Sequence, residues 1–255
     1  FGKDAGPASA VMNVDIHGPS FMFNIGKKNS FAVTTRARIF ANVTDMDGKL
    51  FNKISEDFTN DPSLPYTISS NEKMRIAING WSEFGLSYGR VLADKGMHFL
   101  KGGITLKYLA GAGNAYMNID NFKGTIDDDV ILQDVYLQNT TGRVATGFGG
   151  ASFSNFEASD LLDMKSSGFG ADLGFIYEFR PGGKNYKLKI GAALLDLGSI
   201  KYEKDMQRSG AYDIDITGSE RFSLQQLDGV EFDDLDNFFA SHPAYFTPSP
   251  LNAAK

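Results

Sequence analysis

The chain contains no cysteine, which excludes disulfide bonds and thiolate metal sites. It also lacks an apolar run of about 18 residues or more, the length that a membrane-spanning helix requires. Its three histidines, His17, His98 and His242, are far apart in the sequence, and they suggest no catalytic triad, cofactor site or metal site. We therefore expect no enzyme activity. A formal net charge of −6 gives no reason to expect a nucleic-acid partner.

The stretch HFLKGGITLKYLAGAG, residues 98–113, alternates between apolar and polar side chains. Ile104 and Leu106 share one parity, whereas Thr105 and Lys107 share the other. Such alternation predicts a β-strand with one apolar face and one polar face. It does not say which face meets water.

Three hairpins have the same design, at 19–40, 82–113 and 169–202, and each turns within about four to six residues. We therefore predict six strands in a single domain spanning 1–255. The segment 120–163 carries eight carboxylates against two cations. Short turns at one end of the strands and long acidic loops at the other are typical of an outer-membrane β-barrel. The predicted long loops are 41–73, 114–168 and 203–255.

Two fold classes are consistent with this alternation of apolar and polar residues. A soluble β-sandwich would bury the apolar parity, whereas a membrane barrel would turn it towards lipid and line its interior with the charged parity. Glycine, alanine and serine between the charges suit a crowded interior, and loops as long as 114–168 are rare in compact soluble domains. These features favour an antiparallel transmembrane β-barrel. Aromatic residues at the turn-proximal ends, where an interfacial girdle belongs, are Phe23, Phe31, Phe99, Tyr177, Phe179 and Tyr186.

The charged parity supplies nine candidate residues for the lining of a barrel interior. Six are cationic and three are acidic, which leaves an excess of three positive charges. The excess suits a lumen that favours anions or binds an acidic plug. A cross-strand charge ladder that fills a closed interior is the favoured interpretation. The candidates are Arg36, Arg38, Glu83, Lys101, Lys107, Asp172, Glu178, Lys187 and Lys189.

Over about residues 10–202 the chain resembles a Bacteroidota family of outer-membrane barrel proteins that carry a domain of unknown function. The resemblance lies in GPSFMFNIGKKNSFAVTTRAR, WSEFGLSYGRVLADKGMHFLKGGITLKYLAGAG and YEFRPGGKNYKLKIGAALLDLGSIKY, taken in this order. It implies a barrel distantly similar to the fatty-acid-transporter type, and some relatives add an OmpA-like domain. It implies an outer-membrane location, surrounding lipid, and other outer-membrane or periplasmic proteins as partners. It brings no catalytic residues.

Six strands are fewer than the eight of the smallest closed single-chain barrels, so we expect these residues to be an interior portion of a longer barrel protein. The expected function is a pore, a transporter or a structural component of an outer-membrane assembly. One alternative is a barrel-anchored surface protein that binds partners through its acidic loops. A second alternative is a soluble secreted β-sandwich.

The stretch FDDLDNFFASHP, residues 232–243, departs from the alternation. Phe232, Leu235, Phe238 and Phe239 are spaced as the apolar face of a short amphipathic helix, and Pro243 ends it. We expect this helix to pack within its own loop.

Overall fold

The computed structural model describes residues 7–47, 64–70, 73–162, 166–183 and 185–251. Within these ranges, twelve strands form one antiparallel sheet, which confirms an all-β antiparallel fold. The strands are β1 Ala8–His17, β2 Phe21–Ile25, β3 Asn29–Met46, β4 Tyr66–Ser69, β5 Met74–Lys95, β6 His98–Asp129, β7 Asp134–Gly150, β8 Ser166–Phe179, β9 Leu188–Lys201, β10 Ala211–Ile216, β11 Phe222–Ser223 and β12 Phe246–Pro248.

The strand β6, 32 residues long, organises the sheet. Along one edge it pairs with β5 and then with β4. Along the other edge it pairs first with β8, up to Gly111, and then with β7, from Gly113 onwards. The strand is therefore shared by two regions with different neighbours. We call residues 19–40, 82–111 and 166–201 the hairpin region, and residues 64–79, 113–162 and 203–251 the cap.

The hairpin region contains the pairs β2–β3, β5–β6 and β8–β9. Tight turns join the strands because glycine accepts backbone angles that other residues avoid. Gly26 and Gly96, at the first two turns, have φ angles of 66° and 58°. The strand β1 continues the line of β2 along the outer edge of β3.

The expectation of long loops is wrong where the structure describes those segments. The segment 114–168 contains the second half of β6 and all of β7, and 203–255 contains β10 to β12. In 41–73, β3 continues to Met46 and β4 follows, while residues 48–63 and 71–72 lie outside the described residues. The count of six strands was therefore too low. Register shifts between Asp120 and Thr125 interrupt the alternation on which the sequence-based interpretation depended.

The sheet is open. Among the described residues, β9 pairs only with β8, and the line of β1 and β2 pairs only with β3. Adjacent side chains are exposed in both edge strands, as at Val11 and Met12 in β1 and at Lys189 and Ile190 in β9. Because neighbouring residues point to opposite faces, these edges are exposed on both faces. The sheet thus lacks the closure of a complete barrel.

The cap has a conventional apolar core built around Phe222, which is 1% exposed. Its ring packs edge-on against Tyr245 and Phe246, at centroid distances of 5.3 and 5.4 Å. The predicted helix is present as α1, Leu235–Ser241, after a 3-10 turn, and it packs Phe239 into this core. The core residues are Met46, Ile68, Met74, Phe122, Ile126, Val135, Val144, Tyr212, Ile214, Ile216, Phe222, Phe239 and Phe246.

None of the helices in the described ranges is long and apolar enough to cross a membrane.

We expect Phe222→Ala to lower the free energy of unfolding by about 3–5 kcal/mol, because it leaves a cavity among packed aromatic rings. A urea titration followed by circular dichroism measures the change. Phe169→Ala is the matched control, since Phe169 lies in the hairpin region and is 74% exposed. Equal losses in the two variants would contradict a core centred on Phe222.

Candidate functional site

Burial in the hairpin region is opposite to that of a water-soluble sheet. In β6, Ile104 and Leu106 are 43% and 58% exposed, whereas Lys107 is only 7% exposed. In β5, Leu86 is exposed and Glu83 is buried. The apolar parity therefore covers the outside of the curved sheet, and charged side chains occupy the inside.

Glu83 is the centre of the charged interior and is 5% exposed. Its carboxylate accepts hydrogen bonds from Arg36 Nε at 2.9 Å and from Arg38 Nη1 at 3.3 Å, both on the neighbouring strand β3. It also accepts one from Trp81 Nε1 at 2.9 Å. The β3–β5 register brings these groups together, because Arg36 pairs directly with Glu83 and Arg38 with Trp81.

Lys107 links β6 to β8 and β9 inside the curved sheet. Its Nζ lies 2.7 Å from Asp172 Oδ1, on β8, and 2.6 Å from Asp196 Oδ1, on β9. Asp196 Oδ2 in turn accepts a hydrogen bond from Arg38 Nη1 at 3.0 Å. Three strands separate β9 from β3 along the sheet, so this contact requires the sheet to curl back on itself.

These ion pairs form one network, to which Asp15 adds a contact from β1. Asp15 Oδ2 lies 3.2 Å from Arg36 Nη1. The network contains three cations and four carboxylates, so it carries no excess of positive charge. Glu83 and Lys107 are buried, so these two charges depend on their partners for stabilisation. Its members are Asp15, Arg36, Arg38, Glu83, Lys107, Asp172 and Asp196.

Five of the nine predicted interior residues are in the network, and the other four lie closer to the tight turns. Glu178 is buried and accepts a hydrogen bond from Arg180 Nε at 2.9 Å. Lys189 Nζ lies 3.6 Å from Glu178 Oε1. Lys101 and Lys187 are exposed. The nine residues therefore fall into two groups, five in the network and four nearer the tight turns.

The sequence-based interpretation missed Asp15 and Asp196. Asp196 falls on the apolar parity of its strand, but a register shift opposite Ala171 and Leu173 turns it inward, and its φ angle is 57°. Its backbone N–H donates to Asp172 Oδ1 at 2.7 Å, which holds the bulge in place. The adjacent leucines at 194 and 195 were the available signal, because they break the alternation one residue before the aspartate.

A cavity of about 420 Å³ adjoins the network on the side of the cap. Its wall includes Asn79, Trp81, Asn114 and Tyr202 together with network residues. Within the described ranges, no group of three or more histidine, aspartate or glutamate side chains is arranged to hold a metal ion. The chemistry available here is ion pairing within the protein and hydrogen bonding to an occupant of the cavity.

We expect Glu83→Gln to lower the free energy of unfolding by about 1.5–3 kcal/mol, because two half-buried guanidinium groups lose their charge-assisted hydrogen bonds to a shared carboxylate. Urea titration of the purified protein measures this loss. Glu220→Gln is the control, since Glu220 is exposed in the cap and its substitution should change stability by less than about 0.5 kcal/mol. If the two variants prove equally stable, the network is not a stabilising element.

The comparisons with known proteins identify a family without assigning an activity. The model of a family of unknown function (DUF5723) matches residues 7–251, nearly the whole chain. No curated protein matches the chain, and no solved structure matches it. The match agrees with the expectation of a domain of unknown function. The chain therefore belongs to the DUF5723 family of unknown function.

Proposed function

We propose that the chain is an outer-membrane β-barrel protein whose hairpin region lies in the bilayer and whose cap lies outside it. The observation that carries this proposal is the inverted burial in β6, where Leu106 is exposed and Lys107 is buried. Lipid stabilises an apolar outer surface, and charged groups in a membrane protein face its interior. The resemblance to outer-membrane barrel proteins points the same way.

The soluble alternative agrees less well with the surface of the hairpin region. Apolar side chains of paired strands lie exposed next to one another, as Ile104 on β6, Leu173 on β8 and Leu194 on β9 do. Contiguous apolar patches are costly in water, and monomeric soluble proteins rarely expose large ones. In lipid the same patch has no such cost.

Aromatic rings near the tight turns give further support. Phe23 stacks on Phe31 at a centroid distance of 5.7 Å, and Phe31 packs against Tyr88 at 5.0 Å. Tyr186, beside the turn between β8 and β9, is exposed. Rings of this kind at the ends of strands suit the boundary between hydrocarbon and headgroups. We therefore propose that the tight turns lie at one membrane surface and the cap at the other.

The ion-pair network favours a structural or anchoring role within this setting. Its side chains cross the interior from β3 to β9 and form ion pairs with one another, which argues against a permanently open pore. The cap, which has a core of its own, would then be the part that meets partners outside the bilayer. We propose that the hairpin region anchors and orients the cap.

The open edges have a consequence in this setting. An unpaired backbone group in hydrocarbon costs several kcal/mol, so β9 and the line of β1 and β2 need further strands beside them in a bilayer. We propose that such strands complete the barrel around the network.

We expect Leu106→Arg to lower the free energy of unfolding in lipid vesicles by about 2–4 kcal/mol, because it places a charge in hydrocarbon. Urea titration of vesicle-bound protein measures the loss. The same substitution at Leu132, 73% exposed in the turn between β6 and β7, should have little effect, since this turn lies at the far end of the cap. Tolerance of arginine at both positions would refute lipid contact at Leu106.

We expect planar-bilayer recordings of the reconstituted protein to show no steady current, because ion-paired side chains cross the interior from β3 to β9. Insertion is verified independently by flotation of the protein with lipid vesicles. A steady current in a salt gradient would contradict the anchoring role and would support the pore that the sequence also allowed. The sign of the reversal potential would then report the selectivity of that pore.

A further inference from the structure

The cavity of about 420 Å³ lies between the ion-pair network and the cap, and five strands converge on it. It is within the usual size range of small-molecule sites. Its apolar wall is formed by Phe40, Trp81, Leu109 and Ile200. Its polar wall is formed by two asparagines, a tyrosine and paired charges.

Two asparagine amides face each other in the polar wall. Asn114 Nδ2 donates to Asn79 Oδ1 at 2.5 Å, and each side chain is only partly buried. In the described part of the chain, Asn79 Nδ2 and Asn114 Oδ1 make no other hydrogen bond. The pair thus offers the amide NH2 of Asn79 as donor and the carbonyl of Asn114 as acceptor, side by side. Reversing both amides exchanges these roles and still leaves one donor and one acceptor.

Tyr202 is held in place beside this pair. Its hydroxyl donates to the Gly80 carbonyl at 3.0 Å, which leaves its oxygen able to accept a hydrogen bond. A Cβ at Gly111 would lie 2.7 Å from Tyr202 Cε1 and 2.9 Å from Ile200 Cγ2. The absence of a side chain at Gly111 therefore lets Tyr202 lie across β6. The polar wall is fixed before any ligand arrives.

The charges around the cavity are paired with one another, although Arg38 Nε, which is itself buried, makes no hydrogen bond within the described residues. Arg38 contacts Glu83 and Asp196, and Lys107 contacts Asp172 and Asp196. A charged ligand would have to displace one of these partners and leave a poorly solvated charge behind. The cavity therefore favours an occupant without net charge.

We propose that this cavity binds an uncharged molecule that carries a secondary amide and an apolar body. The amide carbonyl of the ligand would accept from one asparagine, and its N–H would donate to the other. The apolar body would lie against Phe40 and Trp81. This site does not depend on the proposed membrane location, because the groups that form it are all within the chain.

Trp81 is the only tryptophan of the chain and lines the cavity, so its fluorescence reports binding directly. We expect N-acetyl-phenylalaninamide to change Trp81 emission in a saturable way with the folded full chain. The anionic analogue N-acetyl-phenylalanine should bind at least about tenfold more weakly, because its carboxylate disturbs the paired charges. Absence of saturation, or equal affinity for the two probes, would overturn the proposal.

The double variant Asn79→Leu with Asn114→Leu removes both amides together, so neither is left unpaired. We expect it to weaken binding of N-acetyl-phenylalaninamide by about tenfold or more. Asn237→Leu, at an exposed position of α1, is the matched control and should bind like the unmodified chain. Isothermal titration calorimetry provides the affinities, and unchanged affinity in the double variant would refute the role of the amides.

A second variant keeps the proposal testable if the double variant does not fold. A Cβ at Gly170 would meet Leu109 Cδ1 at 3.6 Å, an ordinary contact, so a larger side chain has room to enter the cavity. We expect Gly170→Leu to abolish saturable binding while circular dichroism shows an unchanged fold. Full binding by a folded Gly170→Leu variant would place the ligand elsewhere and overturn the proposal.

Discussion

The placement of charged side chains inside a curved sheet is the constraint on which the hairpin region depends. Glu83 and Lys107 are almost wholly buried, and each contacts opposite charges on other strands. Asp196 extends these pairs from β9 to Arg38 on β3, which fixes the curl of the sheet. Because a buried charge without its partner is costly, curvature, register and interior composition are coupled.

The strand β6 joins two regions that follow opposite rules of burial. In its first half, apolar side chains face outward and Lys107 faces inward, whereas in its second half Phe122 and Ile126 enter an apolar core. The change occurs at Ala112, just beyond Gly111, where the pairing of β6 with β8 stops. The Ala112 carbonyl accepts a hydrogen bond from the N–H of Ala151 at 2.8 Å. One strand therefore connects a surface suited to lipid with a core suited to water, and the cavity lies where the two regions meet.

The family match, the inverted burial and the cavity concern three different properties of the protein: its family, its setting and its capacity to bind a ligand. The match assigns the chain to DUF5723 and carries no activity. The inverted burial supports the membrane setting that we propose, and the ion pairs across the interior support the proposed anchoring role. The cavity is formed by neither region alone, because Asn79 and Asn114 belong to the cap side while Lys107 and Asp196 belong to the network. A ligand there would contact both.

The sequence by itself determined that alternating segments such as 98–113 form strands and that short turns pair them, because both features are local. It also located α1 from the spacing of its apolar residues. Only the tertiary structure decided which parity is buried, since a period of two is the same in water and in lipid. Register shifts occur in β6 before it ends at Asp129, and another turns Asp196 of β9 inward. Each shift depends on the partner strand. Such pairing is long-range, and no single segment encodes it.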